Sequence, residues 1–196
     1  MSLPPGIWPE DPAPVELLDC RKCSLSQQRS RVLWGEGNPD AKIFVLLDNP
    51  GAREDKFGVP YICGTRETLY LALSSVGLGK DDLYLTYVVR CRPVRKYNKE
   101  QARSTCMQHL YDQIKTKKPK LVVCLGNVAT QSFLDDPESE VKSLRGKISF
   151  YNGTATAFSY HPLAVRRRPI LNKLFLEDWK LIASFHAREI FPASHH

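Results

Sequence analysis

Polar side chains with chemical potential stand directly after two apolar runs of this sequence. Asp48 and Asn49 follow the run 43–47, and His161 follows a run of apolar and aromatic residues at 155–160. Carboxylate, amide and imidazole groups bind ligands and take part in proton transfer. Short apolar runs bounded by turn formers predict buried strands, and ligands gather where the carboxyl ends of such strands open into loops. We therefore expect an active site first at 42–55.

Cysteines form the second group of residues with chemical potential. Cys20 and Cys23 are separated by two residues, Cys91 stands one residue before Arg92-Pro93, and Cys106 lies in a predicted helix. Cytosolic thiols stay reduced, so these cysteines favour a metal or cluster site over disulfides. Four thiolates suit either tetrahedral zinc or an iron–sulfur cluster, and the spacing does not decide between them. Cys124, within an apolar strand, is predicted to be a core cysteine.

Length and composition favour one ordinary globular domain. The chain has 196 residues, which suits a single α/β domain over 1–196, with a proline-rich leader at 1–14 and a possible tag remnant at 195–196. No apolar run approaches the roughly 18 to 20 residues of a membrane span, and the first residues lack the pattern of a secretory signal. We predict a cytoplasmic protein that does not enter a membrane, with a monomer as the default.

The positive charge is clustered. The net charge is +7, from 28 Lys and Arg against 21 Asp and Glu. The excess is concentrated in three stretches, 90–96, 115–120 and 166–168. Such clusters either contact nucleic-acid phosphates or form a solvated basic face.

Strand and helix patterns alternate along the chain. The predicted strands are 43–47, 83–89, 121–125 and 155–160, and the predicted helices are 15–19, 66–76, 99–117, 128–134 and a terminal amphipathic helix bearing Leu171 to Ile182. Asn152-Gly153 predicts a tight hairpin between 148–151 and 155–160. Glycine and proline predict a loop at 34–39, and 166–169 reads as a basic loop. This alternation predicts a mostly parallel sheet covered on both faces, which brings the strand ends to one edge.

Several of these motifs together resemble the uracil-DNA glycosylase superfamily, and within it the iron–sulfur family-four enzymes. The resemblance runs from Cys20 to about Trp179. The motifs that carry it are Cys20-x2-Cys23, 50–55, 58–61, 88–93 with Cys106, 119–129, 144–146 and His161-Pro162. It implies a three-layer α/β/α sandwich around a central four-stranded, mostly parallel sheet.

The chemistry implied by the resemblance is hydrolysis of an N-glycosidic bond in DNA, after a deaminated base such as uracil is flipped out of the stack, as in base-excision repair. Asn49 stands where other branches of the superfamily orient the attacking water, and Asp48 is the second candidate. His161 would stabilise the negative charge that develops on the base. Gly51, Tyr61 and Tyr87 fall at positions around the flipped base, with Tyr61 replacing a phenylalanine that stacks on it.

The resemblance also implies a DNA-binding loop and a cofactor. Pro162 and Leu163 would lead a loop into the minor groove, and the DNA-binding arginines would be Arg166, Arg167 and Arg168. The ligands of a structural [4Fe-4S] cluster would be Cys20, Cys23, Cys91 and Cys106. This cluster would pin the N-terminal segment beside the DNA-binding edge. Zinc remains the alternative metal.

The base-reading positions depart from the family pattern. Leu47 replaces a glycine, and Tyr87 replaces the asparagine that reads the Watson–Crick edge of uracil, a contact that a phenol cannot reproduce. Cys63 and Arg66 also replace glycines, and Leu163 replaces a serine. Two main hypotheses follow, a divergent glycosylase and an iron–sulfur nucleic-acid-binding protein that has lost glycosylase activity. A zinc-bound structural or interaction protein is the third.

Overall fold

The strands and helices were located in a computed structural model, which describes residues 8–56 and 64–190. The strands are β1 Glu10–Asp11, β2 Gly35–Gly37, β3 Ile43–Leu47, β4 Leu83–Tyr87, β5 Leu121–Leu125, β6 Ile148–Tyr151 and β7 Thr154–Ser159. The helices are α1 Gly64–Ser75, α2 Lys99–Lys117, α3 Asn127–Leu134, α4 Val141–Leu144, α5 Pro162–Arg167 and α6 Asn172–Ile190.

One sheet runs through the molecule in the order β1-β2-β4-β3-β5-β7-β6. Its four central strands, β4, β3, β5 and β7, are parallel, as the sequence predicts. The predicted total of four strands is wrong, because the sheet has seven strands in the described ranges. β1, β2 and β6 pair antiparallel at its two sides.

The strands β1 and β2 lack the signal that identifies the central strands. A parallel strand buried on both faces reads as a continuous apolar run, and β3 and β5 are buried at every residue. β2 is Gly-Glu-Gly and β1 is Glu-Asp, so neither has an apolar run. The loop predicted at 34–39 is therefore wrong at 35–37, and the end of the predicted leader joins the sheet as β1.

Helices cover both faces of the sheet. α1, α5 and α6 pack on one face through Leu69, Val165 and Trp179, while α2 and α3 pack on the other through Leu110 and Phe133. The three-layer α/β/α sandwich is confirmed. None of these helices has the length and apolar character needed to cross a bilayer.

Local signals explain where several elements begin and end. The side chain of Asn98 accepts a hydrogen bond from the backbone N–H of Gln101 at 3.1 Å, and so caps α2. Asn152 and Gly153 have φ of 49° and 77°, and join β6 to β7 in the predicted hairpin. The predicted helix at 15–19 is only a 3₁₀ turn, Val15–Leu17.

The segment after β7 differs from its prediction as a loop. α5 begins at Pro162, where a proline at the first helical position needs no N–H partner, and ends at Arg167. Arg166 and Arg167 therefore lie on a short helix, and Arg168 follows it as the C-cap.

Candidate active site

Asp48 and His161 meet at the carboxyl edge of the parallel strands. Asp48 directly follows β3, and His161 lies two residues beyond the end of β7. The His161 Nε2 atom is 3.5 Å from Asp48 Oδ1, and both side chains are partly exposed. The expected convergence of distant strand ends is therefore observed for this pair.

The orientation of the imidazole is fixed by the helix that follows it. The backbone N–H of Leu163 donates to His161 Nδ1 at 3.1 Å, which makes His161 the N-cap of α5. Since Nδ1 accepts, Nε2 carries the hydrogen in the neutral imidazole. The donor nitrogen thus points towards Asp48.

The Asp48 carboxylate is held as an anion. Burial acts to raise the pKa of Asp48, but His161 and the backbone N–H groups of Asn49 and Asp48 outweigh it and lower that pKa. The Asn49 N–H donates to Asp48 Oδ1 at 2.9 Å, and the Asn49 side-chain amide donates to Pro50 O at 2.9 Å. The carboxylate of Asp48, rather than the amide of Asn49, therefore faces the imidazole.

Gly51 lies in the turn that follows this pair. Its carbonyl accepts from the Asp55 N–H at 3.1 Å. The Glu54 carboxylate lies so close that a Cβ at position 51 would be 2.5 Å from its Oε2 atom. Tyr61, predicted to stack on the base, lies outside the described residues.

Gly126, at the end of β5, lies against the backbone side of His161. Its φ is +89°, and a Cβ at this position would lie 2.9 Å from His161 Cβ. Only glycine combines this conformation with so close an approach. The Gly126 N–H also donates to Ser159 O at 2.9 Å, which ties the ends of β5 and β7 together.

A buried acid secures the end of β7. Asp178 on α6 accepts from Ser159 Oγ at 2.6 Å and from Arg145 Nε at 3.0 Å. Burial raises the pKa of Asp178, and these two hydrogen bonds oppose that rise. Arg145 lies in the motif 144–146, but neither Asp178 nor Ser159 was predicted as a site residue. Asp178 stands three residues after Phe175 on the buried face of α6, and a charge on such a stripe is the signal that could have found it.

Tyr87 is buried, and its hydroxyl already has partners. The phenol donates to Glu36 Oε1 and accepts from Arg66 Nη2 at 2.6 Å. Arg66 in turn binds the Glu36 carboxylate through Nε at 3.0 Å and Nη2 at 2.8 Å. Arg66 and Tyr87, two residues that depart from the family pattern, thus contact each other. Glu36 was missed because its strand reads as a loop.

The predicted DNA-binding residues divide by exposure. Pro162 is buried, Leu163 is 37% exposed, and the three arginines 166–168 are exposed. The Arg166 guanidinium lies against Gly64, at the start of α1. Arg90, part of the basic cluster 90–96, is buried and is not available to a phosphate.

The four predicted cysteine ligands are free thiols gathered around the end of β4, the N-terminal segment and α2. Burial raises the pKa of the Cys91 thiol to about 12, and the charges of Cys106 and Cys23 add to the rise. Burial also raises the pKa of Cys106, with contributions from Cys23 and Cys20. Cys91 therefore interacts electrostatically with Cys106 and Cys23, and Cys106 interacts with Cys23 and Cys20.

These thiols were also compared with the requirements of a metal centre. Within 8–56 and 64–190, no group of three His, Cys, Asp or Glu side chains is arranged as a ready metal site. The number and chemistry of the donors nevertheless suit a thiolate-bound centre. Beside them lies Arg90 Nε, a buried guanidinium nitrogen that has no hydrogen-bond partner in the described part of the chain. On these grounds the four cysteines fit a zinc ion or an iron–sulfur cluster. Their positions do not identify which of the two they hold.

Comparison with known proteins places this geometry in a family. Residues 34–183 match the family model of the uracil DNA glycosylase superfamily. The chain belongs to the uracil-DNA glycosylase superfamily. It is 33% identical over 176 residues to the type-4 uracil-DNA glycosylase of Sulfurisphaera tokodaii, covering 85% of this chain and 80% of that one. The type-4 enzymes of Archaeoglobus fulgidus and Thermotoga maritima are 31% and 32% identical, with 88% and 91% of their lengths covered.

In this member of the uracil-DNA glycosylase superfamily, the matched region extends from β2 into α6. It includes Asp48 and His161 together with the buried network around Tyr87. Cys20 and Cys23 precede it, although the pairwise matches extend over most of the chain.

Proposed function

We propose that this protein hydrolyses the N-glycosidic bond of a flipped uracil or related deaminated base in DNA, as a step of base-excision repair. The observation that carries the proposal is the Asp48–His161 pair at the carboxyl edge of the sheet. The proposal is supported by the 31–33% identity between this chain and type-4 uracil-DNA glycosylases over most of its length.

The reaction needs a positioned water and a donor for the departing base. The water oxygen forms a bond to the sugar C1′ atom while the bond from C1′ to the base nitrogen breaks. The bonding pair leaves with the base, where the His161 Nε2–H donates to the oxygen that shares the negative charge. The Asp48 carboxylate accepts a hydrogen bond, and then the proton, from the water. Asn49, whose side chain binds Pro50 O, is the other candidate for orienting that water.

The base pocket is proposed to include Gly51, Tyr61 and Tyr87. Because the Tyr87 hydroxyl is bound between Glu36 and Arg66, its phenol does not offer a free donor–acceptor pair to a base. This observation favours a changed base preference. It also supports a second candidate function, a nucleic-acid-binding protein of the same fold without glycosylase activity.

The arginines 166–168 are proposed to bind the DNA backbone beside the pocket, while Pro162 and Leu163 lead their segment into the minor groove. Three exposed guanidinium groups on and after α5 can each contact a phosphate. Leu163 stands two residues after His161, and its backbone N–H donates to the imidazole, so this exposed apolar side chain lies beside the reacting centre. We propose that the protein acts on DNA in the cytoplasm, as a monomer.

We propose that Cys20, Cys23, Cys91 and Cys106 hold a [4Fe-4S] cluster, with zinc as the alternative. When bound, this group supplies a structural cross-link between the N-terminal segment, the end of β4 and α2. Visible absorption with iron and sulfide analysis of purified protein distinguishes the two. A colourless protein with stoichiometric zinc would exclude the cluster.

The test of activity is base release from oligonucleotides with a single uracil, hypoxanthine or xanthine, in single and double strands. We expect Asp48→Asn and His161→Ala each to reduce the rate of release by about 10²–10³-fold. The rate of release by Asn49→Ala shows whether Asp48 or Asn49 orients the water. Asp19→Asn, which changes a carboxylate 79% exposed on the surface, is the matched control and should keep the full rate.

Two outcomes would contradict the glycosylase proposal. Unchanged release in both Asp48→Asn and His161→Ala would remove this pair from the chemistry. Absence of release from every substrate, with DNA binding retained in a gel-shift assay, would favour the binding protein.

A further inference from the structure

Arg90 is a buried cation whose direct partners are all uncharged. Its side chain is 1% exposed. Nη1 donates to the carbonyl oxygens of Tyr87 and Cys106, both at 3.1 Å, and Nη2 donates to Gln113 Oε1 at 2.6 Å. The guanidinium also lies 4.8 Å from the centroid of the Trp34 ring. Its Nε atom is buried without a hydrogen-bond partner among residues 8–56 and 64–190.

The missing partner of Arg90 is a negative charge. No carboxylate in the described part of the chain lies within 4.0 Å of its guanidinium. Burying a guanidinium has a large free-energy cost, which neutral hydrogen-bond acceptors offset only in part and an opposite charge offsets better. A folded state that keeps Arg90 buried therefore calls for a nearby anion.

The groups able to supply that anion are the cysteines beside it. Cys91 is the next residue in the chain, and the Cys106 carbonyl accepts directly from Arg90. A second arginine approaches from the N-terminal segment, where Arg29 Nη1 lies 3.6 Å from Cys91 Sγ and Nη2 binds Leu18 O at 3.4 Å. One guanidinium group thus contacts the Cys91 thiol, and the other contacts the backbone of Cys106.

We propose that Arg90 and Arg29 are the counter-charges of an anionic thiolate centre held by Cys20, Cys23, Cys91 and Cys106. Four thiolates around a dipositive centre, zinc or an oxidised [4Fe-4S] cluster, leave two negative charges, and the two guanidinium groups match them. The inference rests on the centre proposed above, but not on which of the two groups occupies it. Arg90 and Arg29 bind no metal themselves, so they are positioning residues for the ligands.

The first test compares Arg90→Met with the unchanged protein in two states, as purified with its centre and after removal of the centre by a chelator. We expect the thermal unfolding midpoint of the loaded variant to fall. The midpoint of the metal-free variant should rise or stay the same, because no bound centre compensates the charge of Arg90 there. A purely structural arginine would lower both midpoints alike, and that result would overturn the proposal.

The second test measures metal affinity directly and does not need the loaded protein. Metal-free protein is titrated with Co²⁺, whose thiolate absorption reports binding at the cysteines. We expect Arg90→Met to weaken Co²⁺ binding by about 10–100-fold, the size of effect found for groups that support metal ligands. Arg29→Met should weaken it less, because Arg29 is only partly buried.

Two further variants make the measurement specific to charge. Arg90→Lys keeps the charge and should recover part of the lost affinity. Arg21→Met, which removes an arginine 79% exposed beside Cys20, should change affinity by less than about twofold. Equal affinity in Arg90→Met and the unchanged protein, or no Co²⁺ binding at the thiols at all, would refute the inference. Base release, assayed in parallel, reports on the glycosylase proposal independently.

Discussion

Arg66 and Arg90 are both almost fully buried, at 3% and 1% exposure, on opposite faces of the sheet. Arg66 on α1 binds the Glu36 carboxylate through two nitrogens. Among residues 8–56 and 64–190, Arg90 has only neutral acceptors, and its Nε atom has no partner. Burial lowers the pKa of Arg66, but Glu36 outweighs it and raises that pKa well above its ordinary value. Burial lowers the pKa of Arg90 to about 10, against smaller contributions from Cys106 and other neighbours.

This difference shows two ways of keeping a cation inside a small domain. Arg66 receives its counter-charge from a side chain of the same fold, so its network is complete in the protein alone. Arg90 lies beside the thiols proposed above to hold a metal centre, and thiol ligands bind a metal as anions. The first arrangement should contribute to stability in every state of the protein, and the second only in the loaded one.

The largest change in stability is expected when the Glu36 carboxylate that binds Arg66 is removed. Glu36→Gln removes the carboxylate that binds the buried Arg66 guanidinium through two nitrogens and leaves only Glu54, 4.0 Å away, so it should lower the free energy of unfolding by ~3 kcal/mol. Urea denaturation at neutral pH measures it. Asp19→Asn, which breaks an exposed pair with Arg21, should change stability by less than about 1 kcal/mol. Equal losses in the two variants would mean that Glu36 does not compensate Arg66.

A smaller loss of stability is expected when the Tyr87 hydroxyl, which bonds both Glu36 and Arg66, is removed. Tyr87→Phe removes a donor to Glu36 and an acceptor for Arg66 but leaves the two charges in contact. We expect a loss of ~1.5–3 kcal/mol in the same denaturation experiment, as is usual for hydrogen bonds to charged groups. A loss as large as that of Glu36→Gln would indicate that Tyr87, rather than the acid, holds Arg66 in place.

The smallest change in stability is expected when the pH is lowered towards the pKa of Glu36. Burial acts to raise the pKa of Glu36, but Arg66 and Tyr87 outweigh it and lower that pKa below its ordinary value of 4.5. The unfolded chain therefore takes up a proton before the folded one, so this contribution is complete above pH 4.5 and is lost as the pH falls through the folded-state pKa. The stability difference between the unchanged protein and Glu36→Gln should therefore shrink as the pH falls from 7 to 4. If this stability difference instead grows as the pH falls, the pKa of Glu36 is raised rather than lowered in the folded protein.

Features encoded by local patterns were predictable from the sequence. The four parallel strands follow from apolar runs, the start of α2 from Asn98, and the hairpin from Asn152-Gly153. The approach of His161 to Asp48 follows from the rule that parallel strands share one carboxyl edge.

The features that were missed depend on contacts between distant residues. Glu36 lies in a three-residue strand without an apolar run, and its burial is explained by Arg66, which is 30 positions away. The position of Asp178 likewise depends on Ser159 and Arg145. Arg90 appeared to be part of a surface basic cluster because charge runs usually face solvent, and only the packing of α2 and Trp34 reveals that it is buried.

The two glycines that flank Glu36 have a consequence for the evolutionary history of this chain. A Cβ at Gly35 would lie 2.1 Å from Tyr84 Oη, and one at Gly37, where φ is +100°, would lie 2.3 Å from Leu83 O. A side chain at either position would push β2 off β4 and carry the acid away from Arg66. Selection that preserves Arg66 must therefore also act on two neighbours that have no side chain. Lineages that lose either glycine should therefore have replaced the arginine as well.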